Sequence, residues 1–269
     1  MSGAAGGAGA PPIRFEDGAA YEEFMGRWSR VAGDAFLRWL MPAPGWRWLD
    51  VGCGNGAFTE MLVERCAPKA VTGIDPSPQQ VAYARQRLSG DSAGFDVGDA
   101  MALSYADAAF DAAVMALVIF FVPDPAKSVA EMVRVVRPGG SVSTYAWDIL
   151  GGGFPYQVVQ DEMATLATTP SWPPSVEASR LETMRTLWAG AGLTRIETHE
   201  ITVERTFADF AAFWKIAQTG PRLAAAIAAM PAGDRETLSE RLRARLPVDA
   251  TGRITCSARA NAIKGVVAS

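Results

Sequence analysis

The spacing of apolar positions changes period repeatedly along the chain, and each change marks an element. From Ala19 to Met41, the residues Tyr21, Phe24, Met25, Trp28, Val31, Phe36, Leu37 and Leu40 recur at helical spacing and are interrupted near Gly33, which predicts two helices. The short apolar runs WRWLDV, AVTGID, AGFDVG, FDAAVMAL and GSVSTYAW then alternate with helical stretches at about 55–67, 78–89 and 125–136. Strand and helix in alternation predict an α/β fold with a mostly parallel, doubly wound sheet. After Trp147 the rhythm lapses. GGGFPYQ and TTPSWPPS enclose a short helical pattern, QVVQDEMATLA, and LETMRTLWAGAG reads as a helix leading into the strand TRIETHEITVERTF. Residues 207–246 look helical again, and GRITCSARANAIKGVV reads as a final strand.

This organisation predicts one domain over residues 19–269, with cap insertions at about 148–180 and 207–248, preceded by a loose Gly/Ala tail over residues 1–18. A long insertion beside the C-terminal end of a strand reads as a lid.

Composition narrows the partners. With 49% hydrophobic residues, a net charge of -4, a pI near 5.2 and no run of Lys or Arg, the chain lacks an electrostatic footprint for nucleic acid or an anionic membrane. A small-molecule substrate is the expectation. No apolar run approaches the roughly 20 residues of a spanning helix, so a cytoplasmic protein is expected. Cys53, Cys66 and Cys256 have neither the number nor the spacing of a disulfide framework or a zinc site, and no metal is expected.

The stretch WRWLDVGCGNGAFTE carries the chemistry. From Gly52 it satisfies the dinucleotide pattern G-x-G-x-x-G/A; from Asp50 it satisfies D-x-G-x-G-x-G. An acid at the end of an apolar strand would repel a pyrophosphate, and its burial is costly unless it meets a cation or hydrogen-bond donors. S-adenosylmethionine offers an ammonium and a sulfonium. Asp75, closing AVTGID, can accept from both ribose hydroxyls, and Asp99, after FDVG, can accept from an adenine amino group. An NAD-dependent oxidoreductase is therefore disfavoured by Asp50.

Taken together, LDVGCGNG, GIDPS, VGDA, FDAAVMALVIFFVPDP and VRPGG, in this order over residues 46–147, resemble the class I S-adenosylmethionine-dependent methyltransferases of the type 11 domain family, which act on small molecules. The resemblance implies a Rossmann-like, seven-stranded sheet in the order 3-2-1-4-5-7-6 with strand 7 antiparallel. It also implies methyl transfer to a small-molecule acceptor, with S-adenosylhomocysteine as product. By position, it assigns Gly52, Gly54 and Gly56 to the methionine part, Asp75 to the ribose, and Asp99, Ala100 and Met101 to adenine, with Asp50, Pro76 and Leu117 as further cofactor-binding candidates. Tyr21 and Arg27, in the N-terminal segment, are further candidates for the cofactor's amino-acid end. A non-catalytic S-adenosylmethionine-binding protein that uses its cap for partners is the competing reading.

The acceptor side is less determined. Trp147, Phe154, Trp172 and Trp214 are candidates to line an apolar substrate pocket. Methyl transfer is an in-line displacement that can rest largely on proximity, and if the acceptor needs a base, Asp148, Tyr145 and Tyr105 are the candidates. His199, the only histidine, falls on the sixth strand and is expected at a sheet edge. Arg137-Pro138-Gly139-Gly140 reads as a structural turn away from the ligand.

Overall fold

The computed structural model describes residues 22–90, 93–166 and 172–269; the N-terminal tail and Tyr21 lie outside the described residues. Seven strands form one sheet in the order β3-β2-β1-β4-β5-β7-β6. They are β1 (Arg47–Val51), β2 (Ala70–Asp75), β3 (Ala93–Val97), β4 (Phe110–Ala116), β5 (Val136–Trp147), β6 (Thr194–Phe207) and β7 (Ile254–Val266). The first five pair in parallel, and β7 runs antiparallel to both β5 and β6, as the motif order implies. Central strands β1 and β4 are buried almost throughout, which is why they read as continuous apolar runs; β6, at one edge, alternates.

The helices are α1 (Arg27–Leu40), α2 (Ala57–Cys66), α3 (Pro78–Arg87), α4 (Pro125–Val135), α5 (Gln157–Thr165), α6 (Leu181–Gly190), α7 (Phe210–Ala217), α8 (Pro221–Ala229) and α9 (Ala232–Arg245). Three of them start on a side-chain cap: Ser77 accepts from the Gln80 amide (3.3 Å), Asp124 from Lys127 (3.0 Å) and Asp209 from Ala212 (2.7 Å). The N-terminal segment departs from the expected pair of helices. A π-helical turn (Glu22–Gly26) leads into α1, which runs unbroken through Gly33. A Cβ at Gly33 would lie 3.1 Å from the Met61 Cε and from the Tyr145 hydroxyl, so this glycine permits close packing on α2 and β5.

Beyond the pair Trp147–Ala260, β6 and β7 continue without β5, Thr202–Phe207 pairing with Ile254–Arg259 as a two-stranded ribbon. The insertions gather around it. Arg245 on α9 pairs with Asp161 (3.1 Å) and Glu162 (2.9 Å) on α5. Phe24, from the π turn, stacks on Tyr156 at 4.3 Å; Tyr156 lies 6.1 Å from Phe213, and Phe213 meets Phe207 edge-on at 5.2 Å. The N-terminal segment, both insertions and the ribbon thus share one aromatic core.

A cation is built into that core. Ile201, Val203, Arg205 and Phe207 share the inward parity of β6, and Arg205 donates to the carbonyls of Glu23 (2.7 Å) and Phe24 (3.3 Å) while lying 4.7 Å over the Phe207 ring. Its burial is compensated by these acceptors. Arg205→Met is expected to cost about 1–2 kcal/mol of stability, with faster amide exchange at residues 22–28. Unchanged protection there would show that the contacts do not hold the segment.

Candidate active site

The glycine turn follows directly from β1. Gly52, Gly54 and Gly56 all have positive φ (75°, 52° and 79°), which L side chains rarely adopt. A Cβ at Gly52 would fall 2.5 Å from Val118 Cγ1, whereas at Gly54 it would meet nothing within 4 Å. Gly54 therefore owes its identity to its backbone and to the open space it faces. Its amide donates to Asp75 Oδ2 (3.0 Å), and the Ser77 amide donates to Asp75 Oδ1 (2.9 Å), so one carboxylate joins the turns after β1 and β2. Burial nevertheless pushes the Asp75 carboxyl upward, against those two hydrogen bonds.

The turn after β3 joins the same rim. The Gly98 amide donates to the Asp75 carbonyl (3.1 Å), and exposed Asp99 accepts from the Met101 amide (2.8 Å), with Ala100 and Met101 half-buried beside it. At the end of β4, Leu117 takes φ 62°, unusual for a non-glycine residue, with its amide donating to the Tyr145 carbonyl (2.8 Å). Such strain gathers at functional sites. The ends of β1 to β4 thus bring together Gly52, Gly54, Gly56, Asp75, Asp99, Ala100, Met101 and Leu117, while Pro76 lies exposed at the margin.

Asp50 is fully buried. Its Oδ2 accepts from the Thr59 hydroxyl (2.7 Å), its Oδ1 has no partner among the described residues, and burial pushes its carboxyl up to about 7. Arg27 instead faces solvent, its side chain 67% exposed and 4.0 Å from Glu23.

The structure corrects the three candidate bases. Tyr145 is a core ring, stacked at 4.6 Å on Phe36 and packed 5.7 Å from Phe58. Asp148 is held by Arg259 (Nη2 2.5 Å, Nε 3.0 Å) and accepts from the Gly151 amide (3.1 Å), which folds the loop after β5. Tyr105 donates to Asp96 (2.9 Å) and packs edge-on against Phe110, where the chain enters β4; burial and Asp96 raise its phenol. None of the three is presented as an accessible base. The four candidate pocket aromatics also part company. Trp147 is core, Phe154 lies 6.3 Å from Tyr156, and Trp214 stacks on Phe210 at 6.4 Å. Trp172 is partly exposed, three residues from Ser175, which bonds the Phe120 and Val122 carbonyls beyond β4.

Some contributors carry no motif. Thr59 is a hydroxyl on the inward face of α2, and Arg205 is a charge at an inward position of an alternating strand; both signals were present in the sequence. On α5, the Gln157 and Gln160 amide oxygens are buried without a partner among the described residues. His199 stays on the edge strand, exposed and stacked on Trp39 at 5.5 Å, and Arg137 bonds Asp111 (2.7 Å) at the opposite end of β5 from the glycine turn. Among the described residues, no helix is long and apolar enough to cross a membrane, and no group of three His, Cys, Asp or Glu could hold a metal ion.

With this geometry in hand, comparison with known proteins is informative. A family model described as a methyltransferase domain matches residues 49–144. The chain is 42% identical over 106 residues to a 2-methyl-6-phytyl-1,4-hydroquinone methyltransferase of Synechocystis sp., covering 39% of this chain and 33% of that protein. It is 31% identical over 166 residues to a demethylmenaquinone methyltransferase of Renibacterium salmoninarum, covering 59% of this chain and 65% of that one. The chain thus spans between 33% and 65% of the length of these two relatives. In structure it is similar to a phosphoethanolamine N-methyltransferase 2 of Haemonchus contortus, with a TM-score of 0.58 and 18% identity, covering 93% of this chain and 56% of that one. Residues 49–144 therefore match a methyltransferase domain, carried on a seven-stranded Rossmann-like sheet.

Proposed function

We propose that the chain transfers a methyl group from S-adenosylmethionine to a small-molecule acceptor. The observation that carries this reading is the Asp75 carboxylate, tied to the Gly54 and Ser77 amides at the end of β2 beside the open space at Gly54. Each of its oxygens retains a lone pair for a ribose hydroxyl. The fit extends to the unpartnered Oδ1 of Asp50, an acceptor suited to an ammonium, and to Asp99 at the adenine end. Bound there, S-adenosylmethionine supplies an electrophilic methyl group on a sulfonium.

The chain's own part is to bind and orient. With Tyr145 in the core, Asp148 on Arg259 and Tyr105 on Asp96, no base is assigned, and the reading favours an acceptor atom that arrives nucleophilic, such as an amine, thiolate or phenolate. The acceptor lies under the helices of both insertions, in one domain with the sheet, where the Gln157 and Gln160 oxygens offer hydrogen-bond acceptors. The names of the two relatives, a hydroquinone methyltransferase and a demethylmenaquinone methyltransferase, support a small-molecule acceptor.

Calorimetric titration with S-adenosylhomocysteine and with NAD tests the cofactor, and a screen for methyl mass gain across acceptor classes tests the transfer. Binding of S-adenosylhomocysteine but not NAD is expected, with mass gain on one class. Binding of NAD alone would overturn the reading; cofactor binding without any transfer would favour a non-catalytic protein.

A further inference from the structure

We propose that Thr59 is a positioning residue for the cofactor: its hydroxyl fixes one oxygen of Asp50 and leaves the other as the acceptor for the cofactor's ammonium. The inference rests on the functional reading above and goes beyond it, because it assigns the charge and direction of the carboxylate to a neighbour that does not touch the cofactor.

The geometry is specific. Thr59 and Asp50 are both fully buried, and the Thr59 hydroxyl, 2.7 Å away, is the carboxylate's hydrogen-bond donor among the described residues. Gly56 starts α2 at φ 79°, which turns the first helical residues back over the end of β1 and brings Thr59 above Asp50. A carboxylate with one oxygen bound and one unpartnered has a single direction in which to receive a cation.

The surroundings otherwise oppose its charge. On β2 the residue opposite Asp50 is Gly73, and on β4 it is Val114, so neither strand brings a cation. Asp75, at the end of β2, repels a second negative charge, and the Cys53 thiol, in the glycine turn, is itself raised by burial and by Asp50. Thr59 on α2 is the neighbour that favours the ionised form. Without the hydroxyl, Asp50 would hold its proton to higher pH and meet an ammonium as a neutral acid.

The test is the pH profile of S-adenosylhomocysteine affinity for wild type, Thr59→Val, Thr59→Ala and Thr59→Ser between pH 6 and 8, with adenosine as the ligand that lacks the ammonium. Thr59→Val is expected to weaken S-adenosylhomocysteine about fivefold at pH 7, which is what a rise of about one pKa unit from about 7 does to the ionised fraction, with the deficit growing toward about tenfold at pH 6 and shrinking to about twofold at pH 8. Adenosine affinity should be unchanged, and Thr59→Ser should match wild type. If Thr59→Val does not fold, Thr59→Ala against Thr59→Ser gives the same comparison. Equal losses for both ligands, or a deficit independent of pH, would overturn the proposal by making Thr59 a packing residue. Failure of wild type to bind S-adenosylhomocysteine would overturn the functional reading itself, and this proposal with it.

Discussion

Asp50→Asn is expected to make the protein more stable at pH 8 while weakening its hold on S-adenosylmethionine. The carboxyl is fully buried and pushed up to about 7, well above its ordinary range near 3.8. A group with a raised folded-state pKa contributes stability that is fully present below the unfolded value and lost as pH rises through the folded one. Wild-type stability should therefore fall between about pH 4 and pH 7 on account of Asp50. A raised value of this size corresponds to about 4 kcal/mol at pH 8. Asparagine removes that cost but leaves its amide N–H groups short of acceptors, which returns about 1–2 kcal/mol. The net expectation is a gain of about 2–3 kcal/mol at pH 8, vanishing near pH 5, read from denaturant unfolding at the two values. A variant less stable than wild type at both would show that the charge is compensated. Affinity should move the other way, more for S-adenosylmethionine than for adenosine, because the lost charge faces the ammonium.

The second large effect is expected at Asp75. Asp75→Ala removes the acceptor for two backbone amides and, on the proposed reading, for the ribose, so S-adenosylhomocysteine affinity should fall by about 1.5–3 kcal/mol, the range of charged hydrogen bonds. Stability should change less, since burial of the carboxylate already offsets what its hydrogen bonds contribute. Unchanged affinity by calorimetry in a folded variant would remove Asp75 from the site.

What was legible in the sequence was what is local. The positions of Gly52 to Gly56, Asp75 and Asp99 at strand ends announce themselves because a turn after an apolar strand is written in residues a few positions apart. Strand order came with the family resemblance, not with the periodicity. The candidate bases failed for want of long-range information: the partner that holds Asp148 lies 111 positions away, and nothing near Tyr145 says that its ring faces Phe36 on α1. Gly33 misled because glycine serves both to end helices and to let them approach, and only its neighbours distinguish the two. Arg205 could have been read from parity alone, as a charge among Ile201, Val203 and Phe207.

The ribbon formed by the far halves of β6 and β7 stands apart from the rest of the sheet, because β5 ends where it begins. Six residues of each strand project roughly 20 Å past the last residue of β5. A two-stranded ribbon twists freely and is marginal on its own, so its direction is set by whatever helices pack on it. Replacing those helices is expected to re-aim the ribbon and leave the strands beneath the glycine turn undisturbed. The match to the methyltransferase domain ends at Thr144, three residues before β5 does. The match to the domain thus covers the strands that carry the glycine turn and stops short of the ribbon.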